Sequence, residues 1–145
     1  MQDLPHHYHV NASAENEGTV TLTADDLPQI ITAPPAEFGG PGNQWSPETL
    51  VVGAVADCFI LTFRAIARAS KLEWTNLACS AEGVLDRVER VTRFTEVTVR
   101  ATLTVPADTD VDKARRLLEK SEEVCLVTRS MLATAHLEAE VIVED

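Results

Sequence analysis

The chain has 145 residues, with 23 Asp plus Glu against 12 Lys plus Arg, for a formal net charge of −11. That balance argues against nucleic acid and anionic membranes, which need a basic surface to bind. With 45% hydrophobic and 24% charged residues, the composition is that of an ordinary globular chain, read here as one domain over residues 1–145 with a core that needs no staples.

The opening MQDLPHHYHV has no basic stretch leading into an apolar one, so no secretory leader is expected and the sequence reads as cytoplasmic. The longest apolar window, Leu50–Phe63, falls short of the roughly 18 residues of a membrane span and carries Asp57. Three cysteines at wide spacing (Cys58, Cys79, Cys125) form neither a disulfide framework nor a CxxC zinc site. Each is a buried small hydrophobe or a reactive thiol.

In chain order, YHVNASA, the polar turn Glu15–Gly18, and the alternating TVTLTA predict a hairpin, and QIITA predicts a third short strand ended by Pro34-Pro35. The Gly-rich segment Glu37–Trp45 predicts a loop. Ser46-Pro47-Glu48 is a helix start: a capping hydroxyl, a proline suited to the first turn, and a carboxylate at the positive end of the dipole. The helix is expected to run to about Ser70. Between Leu50 and Phe63 only Gly53, Asp57 and Thr62 interrupt its apolar sequence, so it must be covered on most sides. One sheet covers one face. A second subunit is expected on the other, the alternative being a monomer whose long strands curl around the helix.

Glu73–Arg87 and Arg93–Val105 predict two long strands joined through the charged stretch Asp86–Arg93, with a bulge near Ala101–Thr102. Asp110–Val124 predicts an amphipathic helix, LVTRSML a short helical piece, and HLEAEVIV a closing strand. The order is that of an α+β protein with antiparallel sheets around a long apolar helix.

Cys58, inside the apolar helix, meets a physical difficulty, because burial raises a thiol pKa while the thiolate is the nucleophile. A reactive Cys58 needs a cationic or hydrogen-bonding partner from elsewhere. Cys125 sits where one helix ends and another begins; at a helix N-terminus a thiol pKa falls, and Arg129 is four residues on. Cys79 reads as strand filler, and Glu48 as a helix-N-terminal carboxylate. The loop Gly39–Gly42 is not followed by GK[ST] and cradles no phosphate. His7-x-His9, with His6, places two imidazoles on one face of the predicted first strand, and without a third ligand no metal is expected. There is no GxSxG elbow.

Trp45-Ser46-Pro47-Glu48-Thr49-Leu50, Ala54-Val55-Ala56-Asp57-Cys58-Phe59 and Glu122-Glu123-Val124-Cys125-Leu126-Val127-Thr128 together resemble the OsmC/Ohr family of thiol peroxidases, the osmotically inducible and organic-hydroperoxide-resistance proteins. The resemblance spans nearly the whole chain. It implies an OsmC-like α+β fold in an intimate homodimer, with Cys58 as peroxidatic cysteine, Cys125 as resolving cysteine and Glu48 as a polar partner at the site. Organic hydroperoxides would be reduced through a Cys58 sulfenic acid and a Cys58–Cys125 disulfide, without cofactor or metal, and a dithiol or lipoylated protein would restore the thiols. The family's early Arg is absent, since the first Arg is Arg64; Arg129 is the candidate substitute, and Leu126 stands where the family usually has Pro. The alternative is a non-catalytic OsmC-like domain that binds a small molecule or protein.

Overall fold

A computed structural model describes residues 1–145. The chain forms two compact units, Met1–Leu50 and Val51–Asp145.

In the first unit, β1 (Asn11–Ser13), β2 (Val20–Thr23) and β3 (Ile30–Thr32) form an antiparallel sheet in that order. The predicted first strand is shorter than expected. His6, His7 and His9 lie exposed before it, so the pairing of His7 and His9 on one strand face does not arise. Inside the Gly-rich loop, Ala36–Phe38 makes a single 3-10 turn closed by Gly39 at φ 83°. Gly40 is obligatory next to it: a Cβ there would lie 1.7 Å from the Pro34 carbonyl oxygen.

The long helix α1 spans Pro47–Ala69, and its start is built as the sequence predicts. The Ser46 Oγ accepts from the Thr49 N–H at 3.1 Å, and the Thr49 Oγ1 accepts from the Ser46 N–H at 2.8 Å. This is a reciprocal cap, with threonine in place of the usual glutamate. At the far end the Lys113 ammonium donates to the Ser70 carbonyl at 2.8 Å, a cation where the dipole is negative. By length and composition α1 could cross a membrane, with 23 residues and a mean hydropathy of 2.0 over its most apolar window, more than the Leu50–Phe63 window suggests. Here it is a core helix, burying one stripe, Val55, Phe59, Phe63 and Ala67.

That stripe packs on a second sheet of β4 (Asn76–Val88), β5 (Val91–Val105) and β6 (Thr134–Val143), with β5 central. β4 and β5 are antiparallel, joined through Glu89 and Arg90 at φ 51° and 69°. Two successive left-handed residues are the geometry of a tight hairpin turn. β5 and β6, by contrast, pair in parallel from Glu96↔Thr134 to Val105↔Val143. The expectation of antiparallel sheets therefore fails at β6. A parallel neighbour needs a long crossover, and α2 (Val111–Val124) with α3 (Leu126–Arg129) supplies it. Asp110 caps α2 by accepting from the Lys113 N–H at 3.0 Å.

The expected bulge near Ala101–Thr102 is also misplaced. Val97, Val99, Ala101, Leu103 and Val105 are all buried, so the alternation never changes phase there. The irregularity lies at Val84/Leu85, where Thr95 is the unpaired residue of β5. Beside it Gly83 lets α1 approach β4: a Cβ at this position would lie 2.8 Å from Val52 Cγ2 and 2.9 Å from Phe94 Cε1. Gly83→Ala is expected to lower stability by about 1–3 kcal/mol through overpacking, read as a reduced urea midpoint with an unchanged slope.

Candidate active site

Cys58 lies on α1 one residue after Asp57 and four before Thr62, which brings Cys58 and Thr62 to one face. Their side chains meet at 3.7 Å, Sγ to Oγ1. The buried stripe of α1 is turned to the sheet, leaving Cys58 at its margin, half-buried rather than sealed.

The second sulfur arrives on the crossover. Cys125 ends α2 and immediately precedes α3, with φ −59° and ψ 114° breaking the helical run. It is 1% exposed. Its carbonyl anchors the new turn, accepting from the Arg129 N–H at 3.0 Å and the Thr128 hydroxyl at 3.1 Å. The turn presents the Cys125 side chain and the backbone N–H groups of Leu126 and Val127 to Cys58.

Those neighbours decide the protonation of both sulfurs. Burial is the largest single influence on Cys58 and pushes its thiol up. It is outweighed by the Val127 N–H, the Cys125 side chain, the Thr62 hydroxyl and the Leu126 N–H acting together, so Cys58 titrates below an ordinary thiol. Cys125 goes the other way. Burial pushes it up, the Thr128 N–H pulls it back, and hydrogen bonding to Cys58 raises it again. The two sulfurs are thus shifted in opposite directions, Cys58 toward its anion and Cys125 toward its thiol.

Two expectations are overturned here. Cys125 does not gain a lowered pKa from the short helix; it lies buried at the helix entry, and the N–H groups of Leu126 and Val127 serve Cys58 instead. Arg129 does not replace the absent early Arg, because its guanidinium donates to the Glu123 carbonyl at 3.0 Å and is not among the groups that set the pKa of Cys58. Cys79 is the half-buried filler expected, its thiol donating to the Ala56 carbonyl at 3.5 Å. Thr62 and Thr128 were not singled out from sequence. Their signal was available, a threonine four residues after one cysteine and three after the other.

Cys58 opens onto a groove of about 490 Å³ lined by Ala54, Leu61, Ala65, Ile66, Leu126 and Val127, with Asp57 and Thr62. Glu48 belongs to another concavity, built within Met1–Leu50 and lined by Val20, Leu22, Ala33, Pro34 and Phe38. Its Oε1 is buried without a hydrogen-bond partner, an arrangement that costs stability and calls for a donor.

The order and arrangement of these elements have parallels among known proteins. The profile of the OsmC-like protein family matches residues 40–140. The chain belongs to the OsmC-like family. Among relatives, it is 27% identical over 144 residues to the uncharacterized protein YmaD of Bacillus subtilis, covering 96% of this chain and 95% of YmaD. An OsmC-like protein of unknown function from Vibrio cholerae superposes with a TM-score of 0.85 at 15% identity, over 93% of this chain and 99% of that one. An organic hydroperoxide resistance protein OsmC from Legionella pneumophila superposes with a TM-score of 0.75 at 23% identity, over 97% and 99% of the two chains. These similarities establish the OsmC-like α+β fold.

Removing a donor from Cys58 disfavours its anion. Thr62→Val and Cys125→Ala should therefore each move the midpoint of Cys58 alkylation by iodoacetamide to higher pH, by roughly half a pH unit to one, as expected for a lost charge-assisted hydrogen bond. Rapid-quench alkylation across pH, read by peptide mass, makes the measurement.

Proposed function

We propose that this chain reduces organic hydroperoxides with a pair of thiols, Cys58 attacking and Cys125 resolving. The observation that carries the reading is the seating of Cys125 beside Cys58 with their pKa values shifted in opposite directions, Cys58 lowered by backbone and side-chain donors and Cys125 raised by burial. Membership of the OsmC-like family supports a role in peroxide resistance.

The Cys58 thiolate attacks the distal oxygen of the O–O bond, and the alkoxide leaves with a proton as an alcohol. Cys58 is then a sulfenic acid. Cys125 attacks that sulfur, the S–O bond breaks, and its hydroxyl leaves as water with the Cys125 proton. The product is a Cys58–Cys125 disulfide. An external dithiol, free or carried as a lipoyl group on a protein, reduces it by thiol–disulfide exchange. All electrons come from thiols, so the cycle requires no cofactor or metal, and a thiol-reducing cytoplasm suits it.

Two further features support a homodimer. Leu61 remains 50% exposed and Leu126 69% exposed, so the outer face of α1 and the start of α3 stay greasy in a single chain. Ten residues of helix span about 15 Å, so a Glu48 that helps order the thiol site does so from a second copy. Its Oε1 is buried and unpartnered in the single chain, so that role requires the carboxylate to turn out of its own concavity. The second reading, a non-catalytic binding domain, draws on the absence of any cation among the groups that set the protonation of Cys58.

One equivalent of cumene hydroperoxide should consume two thiols of the reduced protein and yield the Cys58–Cys125 disulfide. Cys125→Ser should stop at a dimedone-reactive Cys58, and Cys58→Ser should consume no peroxide. If Cys58 reacts no faster than a free thiol, the binding-domain reading takes over.

A further inference from the structure

Opening a Cys58–Cys125 disulfide requires a proton in the interior. Cys58 opens onto the groove, whereas Cys125 is 1% exposed, so an incoming thiolate reaches the Cys58 sulfur and Cys125 is the leaving group. A thiolate released among apolar residues is unfavourable until it is protonated. Bulk water does not reach it there.

A second, smaller cavity lies at Cys125 and shares no residue with the groove at Cys58. Its volume is about 10 Å³, near the room that one water molecule needs. Val55 and Phe59, from the buried stripe of α1, wall it together with β5, so it is built within one chain. Its polar lining is Cys125, Thr128, Glu122 from the last turn of α2, and His136 from β6. The Thr128 hydroxyl already donates to the Cys125 carbonyl at 3.1 Å. Glu122 stands three residues before Cys125, one turn back on the same face. The ion pairs around it join other groups: Lys120 to Glu123 on α2, and His136 on β6 to Glu96 on β5. On α3, Arg129 is engaged with the Glu123 carbonyl, and α1 brings no titratable group to this cavity. Burial and Glu123 hold the Glu122 carboxyl above the ordinary carboxylate range, and His136 draws it back.

We infer that Glu122 is the proton donor to Cys125 when the disulfide opens, acting through this cavity. The disulfide itself is taken from the peroxidase reading; the proton assignment rests on the cavity and on the burial of Cys125. The attacking thiolate bonds to the Cys58 sulfur and the S–S bond breaks. Its electron pair goes to the Cys125 sulfur, which takes the proton of the Glu122 carboxyl. Glu122, only partly buried, regains a proton from solvent. Cys58 is left in a mixed disulfide, which the second thiol of the dithiol releases. Because the protonated carboxyl is the donor, the rate per attacking thiolate rises as pH falls through the titration of Glu122.

The disulfide is made with diamide, so that no peroxide is needed, and its reduction by dithiothreitol is followed by peptide mass in acid-quenched samples. Each rate is divided by the concentration of dithiothreitol thiolate at that pH. From about pH 8 down to about pH 5 the wild-type value should rise roughly ten-fold. Glu122→Gln should give a flat profile, and Glu122→Asp should retain a rise. His136→Asn should keep the rise and move its midpoint to higher pH, since His136 no longer draws the carboxyl down. A flat wild-type profile, a rise that survives Glu122→Gln, or a rise lost in His136→Asn overturns the assignment. Failure of diamide to join Cys58 and Cys125 overturns both this assignment and the peroxidase reading. A Glu122-dependent rise in a protein that consumes no cumene hydroperoxide leaves the proton donor standing and removes the peroxidase reading alone.

Discussion

The site depends on a break between two helices. Had α2 continued past Val124, its backbone N–H groups would have been used up along its own axis. Instead Cys125 adopts an extended conformation, and the N–H groups of the next two residues are free to face Cys58. Dipoles fixed in the backbone need no reorganisation when the sulfur ionises and cannot be titrated away. A thiol at the margin of an apolar core is an unfavourable place for charge. Local donors reverse that penalty without any side-chain cation.

The same break sets the roles of the two sulfurs. Both are cysteines in a largely apolar setting, and neither is intrinsically the nucleophile. Cys58 faces the open groove and receives the donors, whereas Cys125 lies in the interior and gives to its neighbour. Environment shifts the pKa of one chemical group in two opposite directions, as it does for paired carboxylates elsewhere. A largely apolar groove adjoins the sulfur with the lowered pKa.

Much of the fold was legible in the sequence. The cap at Ser46, the extent of α1 to within a residue or so, the β4–β5 hairpin and the amphipathic α2 all followed from local rules of capping and periodicity. What failed was long-range. The direction in which HLEAEVIV joins the sheet depends on where its crossover runs, and alternation reads the same for parallel and antiparallel strands. The bulge failed because the phase of Val97–Val105 was misjudged, the extra residue lying at Thr95. At the site, the pairing of Cys58 with Cys125 came from resemblance, and no spacing rule would have found it. The lowered pKa of Cys58 was harder to read for a simpler reason: its largest single donor is the Val127 backbone N–H, a group that every residue but proline carries.

The parallel seating of β6 against β5 has a consequence for the nascent chain. Cys125 is delivered by the segment that links those two strands, so its position is fixed only once the final strand has docked. While the ribosome is still extending the polypeptide, Cys58 has emerged but lacks every donor supplied by residues 125–127. The influences that lower its pKa are then incomplete. The lowering of the Cys58 pKa is therefore a property of the completed fold rather than of α1 by itself.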